Sequence, residues 1–198
     1  MTTPMLTRDS DHVYRAGDVE LPSVTQVIRA AGLMGDTSHY TDEARDRGTA
    51  IHLALEYFDQ GNLDEDALDP MLRPYLDAYR CFCRDYQPTW TLVEAMRYDS
   101  TLRYAGTIDR AGRLKGEKYP YVVDIKSGGP ASWHGIQTAA YKLLVRADLD
   151  SPIVARAGLY VKPDGRYTLV RHPLVDTEEW GVFLGALQTH HWKRRYLR

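Results

Sequence analysis

Tyr121-Val122-Val123-Asp124-Ile125-Lys126-Ser127-Gly128 is the stretch on which the reading of the whole chain turns. β-Branched residues follow an aromatic one and the run stops on Ser-Gly-Gly-Pro, which predicts a strand ending in a turn. Alternation places Asp124 and Lys126 on one face of this strand and turns Ile125 into the opposite layer. An acid and an ammonium two residues apart also occur as an ordinary surface pair. Upstream, though, Tyr104-Ala105-Gly106-Thr107-Ile108-Asp109 carries a second acid in a predicted strand, and Val93-Glu94 lies in a third. Three neighbouring strands that each deliver an acid suit a hard divalent cation such as Mg²⁺, which takes oxygen ligands and keeps some waters.

Around this strand the pattern is that of a sheet with helices. Trp90–Tyr98, Leu102–Leu114 and Tyr119–Lys126 read as strands with turns at Asp99-Ser100-Thr101 and Gly116-Glu117-Lys118, an antiparallel meander. Gly106, inside the strand of Asp109, suits a close approach by metal or DNA. Ser132–Val145 is predicted as a helix on which Gln137 and Tyr141, four apart, share a face. A hydrogen bond on the helix surface explains that pair, and so does a grip on a phosphate. Trp133 begins the same helix, where an indole can stack on a base. Ile153–Val161 and Tyr167–His172 close the pattern as a hairpin about Lys162-Pro163-Asp164-Gly165.

The N-terminal half supplies further helices. His12–Arg15 through Leu21-Pro22 reads as a short hairpin about Ala16-Gly17-Asp18, and Pro22–Ile28 opens a helix that Ser23 or Thr25 can cap. Capping alone accounts for those hydroxyls, although one beside DNA can also meet a phosphate. Tyr40–Gln60 is a longer helix with Ile51, Leu55 and Phe58 on its apolar face and His52 and Glu56 together on another. Gly48 within it suits close approach of another backbone. A lone helical histidine is more often structural than functional. Gly61–Asp69 is an acidic loop or short helix. A scaffold helix opened by Pro70 or Pro74 then runs through Tyr75, Leu76, Tyr79 and Phe82 to just before Pro88. Val175–Arg198 forms the last helix, whose basic end suits either the helix dipole or a DNA backbone.

Taken together and in this order, these residues resemble the PD-(D/E)XK nuclease superfamily, and within it the RecB-like exonucleases. Asp109 matches that family's strand acid, Asp124-Ile125-Lys126 its acid-X-Lys unit and Glu94 its upstream acid. Arg47-Gly48-Thr49-Ala50-Ile51-His52 with Glu56 is similar to its Gly-Thr-X-hydrophobic-His…Glu helix, and Gln137 with Tyr141 to its Gln-X-X-X-Tyr helix. The resemblance runs from Ser23 to Tyr141. It implies one α/β domain over residues 1–198, with a central mixed β-sheet flanked by helices, and a Mg²⁺- or Mn²⁺-dependent DNA exonuclease of recombination, repair or replication. By that likeness Asp109, Asp124 and the Ile125 carbonyl hold the ion, and Glu94 and His52 serve a second ion or its waters. Lys126 acts on the attacking water or on the charge at phosphorus. Gln137, Tyr141, Trp133, Arg47, Thr49 and Ser23 are then expected on the DNA, either a single strand or a duplex with an end. The rivals are a structure-selective endonuclease, a non-catalytic DNA-binding adaptor and a protein that binds a structural cation.

Composition sets outer limits. A chain of 198 residues, 43% hydrophobic and 26% charged, has the size and balance of one soluble globular domain. No apolar run reaches membrane-span length and Met1-Thr2-Thr3-Pro4 lacks the form of a signal peptide, so a cytoplasmic location without membrane association is expected. Cys81 and Cys83, the only two cysteines, sit too close in sequence for a bridge and cannot supply the four thiolates of an iron–sulfur cluster within one chain. A formal net charge of −2 decides little about DNA, because a carboxylate cluster offsets basic residues elsewhere. Oligomeric state is not legible in the sequence.

Overall fold

The structure, a computed structural model, describes residues 5–9, 13–35, 41–175 and 177–197. The expected hairpin start at His12, helix start at Tyr40 and C-terminal Arg198 lie outside them. Strands β1 (Leu6–Arg8), β2 (Tyr14–Ala16) and β3 (Val19–Leu21) form a small antiparallel sheet. The expected hairpin is β2–β3, and β1 adds a third strand; Leu6-Thr7-Arg8 is too short and too polar to show an alternation. Helix α1 (Val24–Ala30) is capped by Ser23, whose hydroxyl accepts the Gln26 N–H at 3.0 Å while the Gln26 side chain accepts the Ser23 N–H at 2.9 Å. Helix α2 (Asp42–Asp59) is capped by Thr41, and α3 (Arg73–Tyr86) has Pro74 in its first turn. Gly61–Asp69 contains no helix. The remaining elements are β4 (Thr89–Asp99), β5 (Tyr104–Arg113), β6 (Tyr121–Lys126), α4 (Trp133–Leu144), β7 (Ala155–Val161), β8 (Tyr167–Arg171) and α5 (Glu178–Tyr196).

The architecture is α/β. Five strands lie in the order β4-β5-β6-β7-β8, and the sheet is mixed: β6 and β7 are parallel and every other pair is antiparallel. Parallel neighbours need a crossover, and α4 is that crossover. Helices cover both faces. Ile51 and Leu55 of α2 and Leu76, Tyr79 and Phe82 of α3 pack on Val123, Ile125, Ala157 and Leu159. On the other face Val27 and Ile28 of α1, Tyr141 and Leu144 of α4 and Phe183 and Leu187 of α5 pack on Tyr104, Ile108 and Val122. Burial on both faces explains why β6 reads as nearly continuous apolar sequence instead of a strict alternation. The small N-terminal sheet leans on the β4–β5 end through Tyr14, Ala16 and Leu21 against Ala105. Among the described residues no helix is long and apolar enough to cross a membrane.

β4 carries a bulge beside β5: Trp90 pairs with Gly112 and Leu92 with Ala111, so Thr91 is the extra residue. The bulge presses β4 onto Gly112, where a Cβ would collide with the Thr89 carbonyl and come within 2.8 Å of the Trp90 Cα. Neither obstacle is a side chain that could turn away. Gly112→Ala is therefore expected to cost about 1–3 kcal/mol, which in a chain of this size lowers Tm by roughly 2–4 °C per kcal/mol. Gly181→Ala, at an exposed position of helix α5 where a new Cβ meets nothing, is the matched control and should hold or raise Tm. Equal thermal midpoints for the two variants in a calorimetric scan would show that the bulge does not need its glycine.

Candidate metal centre

The site forms where the two central strands part. β5 and β6 pair through Gly112–Tyr121, Ala111–Val122 and Arg110–Val123, and the ladder stops there. One step on, side chains take the place of the missing strand. The Ile125 N–H donates to Asp109 Oδ2 at 2.6 Å, and His52 Nε2 lies 3.0 Å from the Ile125 carbonyl. The backbone of β6 is thus satisfied by one acid from β5 and one imidazole from α2, which draws all three elements to a point.

Glu94 arrives by an irregular route. It falls between the pairs Val93–Arg110 and Ala95–Ile108, and its φ of 43° is left-handed, a conformation that costs a non-glycine residue about 1–2 kcal/mol. Its Oε1 lies 3.2 Å from His52 Nδ1 and accepts from Arg110 Nη1 at 3.0 Å. His52 Nδ1 is also 3.8 Å from Asp109 Oδ2. One ligand atom each from His52, Glu94 and Asp109 lie within 4.8 Å of one another, a set able to hold a cation. Strained backbone of this kind gathers where function fixes a side chain.

Asp124 and Lys126 stand beside this group. They share a face of β6, as alternation requires, and Lys126 Nζ is 2.7 Å from Asp124 Oδ2. The ammonium also lies 5.7 Å from the centroid of the Trp133 ring. Asp124 is buried, and its Oδ1 has no hydrogen-bond partner among the described residues. Such a buried carboxylate oxygen is costly unless something cationic meets it. The donor set of two or three carboxylates, one imidazole and a backbone carbonyl fits Mg²⁺ or, through its nitrogen, Mn²⁺.

A residue not singled out from the sequence organises the acids. Arg110, fully buried, binds Asp59 Oδ2 through Nε at 2.5 Å, Glu94 through Nη1, and the Asp109 carbonyl at 2.6 Å. Tyr79 donates to the same Asp59 oxygen at 2.8 Å and Trp90 Nε1 donates to the Tyr79 hydroxyl at 3.1 Å. The available signal was an arginine directly after a strand acid, flanked by Ile108 and Ala111.

The other expected residues divide. Gln137 Nε2 donates to the Tyr141 hydroxyl at 3.0 Å, and both side chains are buried on the sheet side of α4. Gly106 is needed for Tyr141, because a Cβ there would lie 2.6 Å from the ring's Cε1. Ser23 caps α1 and also lines, with Thr25, a cavity of about 230 Å³ that Glu94, Asp109, Gly106, Thr107, Tyr141, Arg8 and Tyr14 complete. Thr49 is exposed and its hydroxyl turns back to the Arg45 carbonyl at 3.2 Å. Arg47 is half-buried, and its Nε has no bond among the described residues. Gly48 does not meet another backbone closely: a Cβ there would find only Ser127 Oγ, at 3.9 Å. Glu56 accepts from Gln60 Nε2 at 3.0 Å.

Electrostatics tie the group together. Asp59, Glu94, Asp109 and Asp124 face two permanent cations, Arg110 and Lys126, and a third positive charge while His52 is protonated, which leaves one negative charge, or two once His52 is neutral. Burial lifts the Asp109 and Asp124 carboxyls above their ordinary values, so each gains from a positive neighbour. For His52 burial alone would depress the pKa, but Asp109 and Glu94 reverse this and push it to about 9. With an oxygen acceptor beside each ring nitrogen the imidazole is held doubly protonated.

The second histidine near the site behaves oppositely. His134 Nδ1 accepts from the Ala131 N–H at 3.2 Å and lies 2.8 Å from the Tyr160 hydroxyl, so the ring is neutral with its proton on Nε2. Burial, and then the Lys126 charge, lower its pKa to about 4. Between 6.5 and about 4 the unfolded chain takes a proton at this position that the folded one refuses, so stability falls as pH drops through that window. Urea titrations from pH 7 to 4 should show a shallower loss of unfolding free energy in His134→Asn than in the parent. Parallel curves would mean that His134 is not held neutral.

No protein-family model matches this chain and no curated protein matches it, so the chemistry of the site has to be read from its own residues.

Proposed function

We propose that the chain is a metal-dependent deoxyribonuclease of the PD-(D/E)XK kind, acting as an exonuclease on DNA phosphodiester bonds. One observation carries the reading: His52, Glu94 and Asp109 converge within 4.8 Å, with Lys126 on the adjoining strand end. Bound Mg²⁺ or Mn²⁺ would supply an acidified water and offset charge on phosphorus. Asp109 and Glu94 would hold the ion, and His52 would add its nitrogen only on giving up the proton it shares with Glu94; Asp124 presents its buried oxygen from the next strand. Arg110 keeps Glu94 turned toward His52, so it is a positioning residue. Lys126, fixed between Asp124 and Trp133, would place its ammonium against the charge that develops on the phosphate oxygens. Gln137 and Tyr141 would fix the strand, and Trp133 offers an indole to a base.

The depth of the acids favours one rival: Asp109 is 8% exposed and Asp124 1%, as ligands of a purely structural cation would be. End-labelled single- and double-stranded DNA, offered with Mg²⁺, Mn²⁺ or EDTA, separates the two. The nuclease reading expects cleavage that EDTA stops, reduced to background in Asp109→Asn and by about 10²–10³-fold in Lys126→Ala, with Lys126→Ala still binding Mn²⁺. It also expects a covalently closed single-stranded circle to survive while the linear strand is degraded. A metal-dependent rise in Tm with no cleavage of any substrate would favour the structural cation, and loss of the circle would favour an endonuclease.

A further inference from the structure

The small N-terminal sheet reaches the candidate site, and no reading of the acid cluster gives it a task. Register places Arg8 directly opposite Tyr14 in the β1–β2 pair. Both converge on one hydroxyl: Arg8 Nη1 donates to Thr107 Oγ1 at 3.2 Å, and the Tyr14 hydroxyl lies 2.6 Å from the same oxygen. Thr107 stands two residues before Asp109 on β5, and all of these residues line the cavity of about 230 Å³ that contains Glu94 and Asp109. The cavity therefore has an acidic floor and a cationic wall. A cation on the floor and a guanidinium on the wall together match a phosphodiester, whose charge is shared between its free oxygens. Thr107 engages one nitrogen of Arg8, and a guanidinium carries five donors.

Size and depth narrow the substrate. The cavity is smaller than the roughly 300–1,000 Å³ of pockets that enclose a drug-sized ligand. It is walled by the N-terminal sheet on one side and by Tyr141 of α4 on another, and Asp109 at its base is only 8% exposed. A phosphate reaches the acids only if its backbone enters between those walls. An unpaired strand can splay to do that, whereas a duplex holds its backbone against a partner strand. We infer that the cavity admits one unpaired DNA strand and that Arg8, seated on Thr107 and Tyr14, binds the phosphate next to the one over the acids.

This rests on the nuclease reading, and the experiment keeps the two apart. Binding of a fluorescent single strand and of its blunt hairpin duplex is measured by anisotropy in Ca²⁺ across a salt series, and cleavage of both in Mn²⁺, for the parent, Arg8→Gln and Tyr14→Phe. The parent should bind and cut the single strand at least tenfold better than the duplex. Arg8→Gln, an exposed change that spares the core, should bind the single strand about tenfold more weakly and lower the slope of log Kd against log salt by about 0.7. Its KM should rise with kcat nearly unchanged, and Arg8→Lys should recover part of the affinity. Tyr14→Phe, which keeps the ring and removes the hydroxyl, should show a smaller loss of the same kind. A parent that cuts both substrates alike, or an Arg8→Gln variant with parental Kd and salt slope, overturns the inference and leaves the nuclease standing. A parent that neither binds nor cuts either substrate overturns both.

Discussion

Beyond Arg110 and Val123 the central strands β5 and β6 separate, and the backbone of Ile125 loses the partner a continuing ladder would have provided. A buried peptide group cannot be left bare, so its N–H goes to the Asp109 carboxylate and its carbonyl to His52. That constraint fixes the site. It holds Asp109 against β6, brings α2 down onto the sheet through His52, and leaves a wedge that Glu94 completes from β4. Any change that restored pairing at Ile125 would fill the place where the acids meet.

A second constraint follows from burying so many charges. Arg110 lies in the core between Asp59, Glu94 and the ring of Tyr79, and its network runs out to Trp90 on β4. Buried ion pairs of this kind add little net stability, since desolvation consumes much of the attraction, but removing one partner leaves an uncompensated charge. The network is better understood as an orienting device. It points Glu94, in strained backbone, toward His52 and Asp109, and the strain persists because Arg110 holds its far end.

Much of this was legible in the sequence. The strand Tyr121–Lys126, its alternation, the meander before it and the hairpin after it follow from β-branched runs and turn residues, because local chemistry specifies them. The capping residue Ser23 and the stop before Pro88 were legible for the same reason. His52, Glu94 and Asp109 were singled out separately, yet nothing local says that His52 would reach the Ile125 carbonyl; that contact depends on how α2 packs. Arg110 and Asp59 stayed hidden because they are 51 residues apart and meet only in the folded core. β1 was hidden by its shortness, and the role of Gly106 by its partner, Tyr141, on a distant helix. Gly48 shows the opposite error: a glycine in a suggestive run whose surroundings do not require one.

The central claim is that the wedge between β5 and β6 is a divalent-cation site. Crystals grown with Mn²⁺ and measured at its absorption edge test it most directly, because the anomalous signal locates the ion without reference to activity. The account predicts a strong peak within direct ligand distance of a carboxylate oxygen of both Glu94 and Asp109. A peak confined to surface acids, or none at saturating Mn²⁺, would contradict it.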